Sequence, residues 1–176
     1  IYALSTFTLI IISLHSKATR FSLLLIIVHY FLTLSIAVLT YIIGYGFDPF
    51  IHRATEEVIH TLGQITPKPF YYIGQYSIVV ILSHLFYTPI EYIDKFLLPV
   101  FFASFVPLSI YITFTRAFNW TKRYTLPICL LGLGIPLAPF IATTPQGLAN
   151  TLVIITSLLT LIPLTYKTYK DSRHTH

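Results

Sequence analysis

The residues of this chain suited to chemistry are histidines and carboxylates set in apolar sequence. His29 and His84 stand well inside uncharged stretches, and a neutral imidazole there needs a hydrogen-bond partner. Three uses compete: a bond to a Tyr or Ser of a neighbouring helix, a pair of haem ligands at matching depths on facing helices, or, for His84, proton transfer. His84 has the more polar surroundings, because Gly74-Gln75-Tyr76-Ser77 precede it and Ser83 adjoins it. Ser77, His84 and Glu91 are spaced by seven, so on one helix they share a face. A polar face on an apolar helix must look onto protein or water. The plain reading is a helix hydrogen-bonded into a bundle; the functional one is a cavity in which Gln75, Ser77 and Glu91 bind substrate and His84 is the catalytic base.

A second group, His52, Glu56 and His60, recurs at spacings of four. Two imidazoles and a carboxylate on one helical face suit a divalent cation. Arg53 beside them opposes a cation, and Glu56 with His60 reads as an ordinary i,i+4 pair on a wet surface, so no metal is expected. Cys129 is the single cysteine, which excludes a disulfide scaffold and a cysteine metal cluster. No phosphate-binding glycine loop, nucleophile elbow or H-E-x-x-H motif is present.

The elements that must position these residues follow from composition. Of 176 residues, 55% are hydrophobic and 10% charged, against about 25% charged in an ordinary soluble domain. A soluble globular domain is thereby excluded, and at roughly 20 apolar residues per span the length accommodates five or six spans. Met is absent, and Ile stands at position 1; a fragment, a processed chain or a non-standard start each accounts for Ile1.

Apolar stretches predict spans near 1–14, 21–47, 70–89, 96–115, 124–143 and 148–166, followed by a polar tail, 167–176. Gly132 and Gly134 in the fifth are placed to let a neighbouring helix approach. Between them, 50–62 reads differently: Phe50, Ala54, Val58 and Leu62 alternate with His52, Arg53, Glu56, Glu57 and His60 on the opposite face. That is a short amphipathic helix lying in the interface, stopped by Thr66-Pro67-Lys68-Pro69. The expected fold is all-α, a polytopic transmembrane bundle of five or six spans plus this interfacial helix, forming one integral membrane domain.

If all six spans are real, one side collects Arg53, Lys68, Arg116, Lys122, Arg123, Lys167, Lys170 and Arg173, and the other Lys17, Arg20 and Lys95. The positive-inside rule then puts the carboxyl tail and the amphipathic helix in the cytoplasm, in a cell (inner) membrane. The basic residues form no stripe with interleaved aromatics, so no nucleic-acid partner is implied.

The segment Pro69-Phe70-Tyr71-Tyr72-Ile73-Gly74-Gln75-Tyr76-Ser77-Ile78-Val79-Val80-Ile81-Leu82-Ser83-His84 resembles a stretch in the carboxyl-terminal half of the acyltransferase-3 family. Those are polytopic membrane enzymes in which a helix opens with Gly-x-x-Ser and ends with His. The resemblance implies an acyltransferase that moves an acyl group from acyl-CoA to a carbohydrate or other envelope acceptor. In that family an Arg and a His base lie on an amino-terminal helix, and this chain shows no such arrangement at its start. Two further classes stay open: a non-catalytic subunit of a larger, respiratory-type membrane complex, with other membrane subunits as partners, and a small transporter or channel component.

Overall fold

The structure, a computed structural model, describes residues 2–16, 18–41, 48–64 and 72–173. These form seven α-helices and two short 3-10 segments, with no strand among them. The helices are α1 (Tyr2–His15), α2 (Thr19–Thr40), α3 (Asp48–Leu62), α4 (Ile73–Phe86), α5 (Ile90–Arg116), α6 (Lys122–Cys129) and α7 (Pro145–Arg173).

Three of them are long and apolar enough to cross a membrane: Thr19–Thr40, Ile90–Arg116 and Pro145–Thr165. They answer to the expected spans 21–47, 96–115 and 148–166, although 42–47 lie outside the described residues. The other three expected spans take different forms. Helices α1 and α4 have 14 residues each, roughly 21 Å at 1.5 Å per residue, against a hydrocarbon core of about 30 Å. The stretch 124–143 is not one helix: α6 ends at Cys129, a 3-10 segment runs over Leu130–Gly134, and another over Ala138–Phe140. Pro136 and Pro139 supply no backbone N–H to continue a helix.

The chain clusters into two compact units, one of Ile1–Thr33, Ala103–Pro136 and Thr151–His176, the other of Leu34–Phe102 and Leu137–Asn150. Helices α2, α5 and α7 contribute residues to both.

The first unit is packed by apolar and hydroxyl groups. Tyr30 of α2 is fully buried, and its hydroxyl donates to the Cys129 carbonyl at 2.5 Å. A Cβ at Gly132 would collide with that hydroxyl, so the close approach expected at this glycine is made by a tyrosine; nothing approaches Gly134. Thr113 Oγ1 donates to the Leu158 carbonyl at 3.0 Å, tying α5 to α7. His29 is satisfied locally, its Nε2 2.9 Å from Thr6 Oγ1 and its ring stacked on Tyr2.

The second unit holds α3, α4 and the start of α5. Pro49 presets the first turn of α3, and Gly63, at φ +65°, ends it with its N–H on the Ile59 carbonyl. Positions 66–69, the expected stop, lie outside the described residues. Helix α4 ends three residues before the expected limit of its span. Tyr87 adopts φ 51°, ψ 38°, Thr88 N–H reaches back to the Ser83 carbonyl, and the Ser83 hydroxyl donates to the Thr88 carbonyl at 2.6 Å. This is a left-handed helix stop, made without glycine. Pro89 then opens α5, accepting from the N–H of Tyr92.

Candidate functional site

In the second unit, α3 is packed the opposite way from the wet-faced helix expected. Its apolar residues Ala54, Val58 and Leu62 are exposed, while Glu56 is fully buried and His52 half-buried. The polar face lies on α4. Periodicity groups the residues of α3 into two faces, but on the polar one His52, Arg53 and Glu56 are packed while Glu57 and His60 stay exposed.

That inversion builds a polar centre. Gln75 Nε2 donates to Glu56 Oε1 at 2.5 Å. His52 Nδ1 is 2.8 Å from the Tyr76 hydroxyl, with Tyr72 edge-on to the same imidazole. From α5 comes Asp94, 5% exposed. It sits one helical step of four from Ile90 and Leu98 and two from Phe102, all buried, so it is the polar member of an otherwise apolar packed stripe. Three oxygens of this centre are buried without a hydrogen-bond partner: Glu56 Oε2, Gln75 Oε1 and Asp94 Oδ1. Buried acceptors are ordinarily paired, and each orphan calls for an explanation.

Around the centre lie the cations. Arg53 lies over the Phe50 ring, and its Nη1 is 3.4 Å from Glu91 Oε1; Lys95 Nζ reaches the same oxygen at 2.7 Å. Arg53 and Lys95, with Asp94, line a recess of about 20 Å³ closed by Val38, Pro49, Phe50, Ala142 and Thr143, room for one water. Burial, then the neighbouring Asp94 charge, pushes the Glu56 carboxyl above the usual carboxylate range, against the pull of Gln75 and Arg53. A carboxyl so placed holds a proton that an exposed one would release.

The four residues expected to line one cavity are thus divided. Gln75 joins the centre. Ser77 and His84 start roughly 200° and 180° around α4 from Gln75 at 3.6 residues per turn, and His84 meets α3 through His60. His84 is exposed and stacks on His60, ring centroids 4.6 Å apart and 17° from parallel. Glu91 is not on the helix of Ser77 and His84 at all, because the Tyr87 stop intervenes; it belongs to α5 and is occupied by Arg53 and Lys95.

Two placements also correct the expected assignment of charges to sides. Arg53 and Lys95, expected on opposite sides, share one carboxylate. In the first unit, Leu14 at the end of α1 and Trp120 and Thr121 before α6 line one groove, so Arg20, just after α1, belongs with Lys122 and Arg123 and not across from them.

Asp94 is the residue that sequence reasoning passes over, taking it as a loop charge. The signal was available in Pro89, a helix-opening residue, which places Asp94 in the second turn of α5. Among the described residues, no group of three or more His, Cys, Asp or Glu side chains is arranged to hold a metal ion. Comparison with protein-family models, curated proteins and solved structures finds no match to this chain.

Proposed function

We propose that this chain is an integral membrane protein that takes up and releases a proton at the Glu56–Gln75–Asp94 centre, as a component of proton-linked transport of a small polar solute. The membrane part is supported by α2, long and apolar enough to cross a bilayer: its Leu24, Val28, Leu32 and Ile36 are exposed, while its polar Ser22, His29 and Ser35 are buried with Ile26, Tyr30 and Leu34. An apolar outer face over polar groups turned inward suits a bilayer. The positive-inside rule puts the end of the first unit that carries Arg20, Lys122 and Arg123 in the cytoplasm, and the basic carboxyl tail with it.

One observation carries the functional part. Glu56 is fully buried, bonded through one oxygen to an amide and left with its other oxygen unpartnered, in a centre shared with a second buried acid. Ionisable groups inside membrane proteins mark ion and proton routes. The carboxyl of Glu56 would carry the proton, Gln75 would hold it in place, and Asp94 would be the second acceptor. Arg53 and Lys95 set the local charge.

The test is infrared difference spectroscopy on the protein reconstituted in vesicles, taken across a pH step. A carboxylic C=O band that disappears in Glu56→Gln, with solute-dependent proton uptake lost in the same variant, is the expected result. Absence of any titrating carboxylic band would overturn it. Resistance of the membrane-bound protein to alkaline extraction checks the membrane reading separately.

A second reading, acyl transfer from acyl-CoA to a hydroxyl acceptor, is favoured by the exposure of His84 at the end of α4, where a substrate has access to it. It expects CoA release with a carbohydrate acceptor to fall at least tenfold in His84→Gln and to be unchanged in His29→Gln. Equal activity in both variants sinks it.

A further inference from the structure

The first unit carries a groove that the proton centre does not use. Leu14, Trp120, Thr121, Tyr124, Pro127 and Ile128 line about 550 Å³ of open space on α1 and α6, within the range of ligand-holding clefts. Trp120 and Tyr124 are 45% and 60% exposed. The lining is almost wholly apolar, yet Lys122 and Arg123, which stand between the lining residues Thr121 and Tyr124, are exposed. Thr121 precedes that turn without a side-chain cap, leaving the N-terminal N–H groups of α6 to an outside acceptor.

We infer that this groove holds one anionic glycerophospholipid, its acyl chain against Leu14, Tyr124, Pro127 and Ile128 and its phosphate beside Lys122 and Arg123. The occupant follows from the charge pattern. An open apolar groove flanked by two exposed cations, Lys122 and Arg123, matches a molecule with an apolar tail and a negative head. A zwitterionic lipid would fill the groove equally well but gain far less from the cations. Each basic side chain near an anionic headgroup is worth on the order of fivefold in binding. This inference rests on the membrane reading given above, though not on the proton centre.

Trp120 is the one tryptophan of the chain, so the groove has its own reporter. The experiment incorporates the full chain into phosphatidylcholine vesicles containing either phosphatidylglycerol or phosphatidylcholine brominated on the acyl chain, at equal mole fraction. Quenching of Trp120 fluorescence is then titrated. The expected result is half-maximal quenching by the brominated phosphatidylglycerol at a several-fold lower mole fraction than by the brominated phosphatidylcholine, with Lys122→Gln/Arg123→Gln removing the difference. The preference in the unsubstituted chain should also shrink with added salt, a readout that does not depend on the double variant folding. Equal quenching by both lipids overturns the site while leaving a membrane-embedded protein. No quenching by either overturns the membrane reading at this end, and the site with it.

Discussion

The two compact units bury different kinds of polar atom. In the first they are hydroxyls: Tyr30 is fully buried with its hydroxyl on the Cys129 carbonyl and Gly132 making the room, while the buried Ser13 and Ser22 keep theirs unpartnered. In the second, Glu56, Gln75 and Asp94 are buried and each keeps an oxygen unpartnered. A satisfied buried hydroxyl fixes one arrangement, whereas unsatisfied acceptors leave a place for a proton, a water or a solute. On the function proposed above, the difference separates the part of the chain built for packing from the part built for exchange.

The largest effect that would break this contrast is in the packed unit. Tyr30→Ala should cost about 3–5 kcal/mol, as for other large aromatic truncations in cores, read as lost unfolding free energy in mixed micelles. A cost below about 1 kcal/mol would mean that the first unit is not the rigid one. Next is Gln75→Leu, which leaves Glu56 Oε1 without its donor and should cost about 1–3 kcal/mol. Combining it with Glu56→Leu in a double-mutant cycle should recover part of that cost, since the two residues share one bond.

The pH dependence sharpens the contrast further. The ordinary carboxyl value for Glu56 is 4.5, and burial raises it in the folded chain. The folded state therefore binds the proton more tightly than the unfolded state, so this contribution is complete below pH 4.5 and is lost as pH rises until Glu56 ionises in place. The slope is at most about 1.4 kcal/mol per pH unit. Glu56→Gln should flatten that decline; an unchanged slope would assign it to another group. The smallest effect is expected at Glu91, whose side chain is 47% exposed. Glu91→Ala should change stability by under about 1 kcal/mol, as exposed ion pairs do, and a larger loss would draw Glu91 into the centre.

The sequence shows some of this and hides the rest for definable reasons. Helix α3 is legible from Phe50, Ala54, Val58 and Leu62 and from Pro49 at its start. Which face it packs is not legible, because periodicity groups residues by face without saying whether lipid, water or protein lies against them. Gln75 reads as part of a polar cluster that includes His84, but Glu91 joins it only through a spacing of seven, and spacing holds only while the helix continues. Its end at Tyr87 is invisible because the left-handed stop uses a tyrosine where glycine is the usual signal. Asp94 was hidden by its neighbours, since Glu91 and Lys95 make the whole segment look like a charged loop. The prolines of 124–143 were visible, and their combined effect on one helix was underestimated.

Tyr87 itself has a consequence for how the second unit sits in its surroundings. The residue is 96% exposed, held out by a backbone conformation that costs an L-residue roughly 1–2 kcal/mol and a glycine almost nothing. Tyrosine rings favour the headgroup level of a bilayer. In the membrane setting proposed above, the turn between α4 and α5 would act as a depth gauge: an aromatic float on a stiff arm, whose preferred level would fix how far beneath the lipid surface the carboxyls of the centre lie.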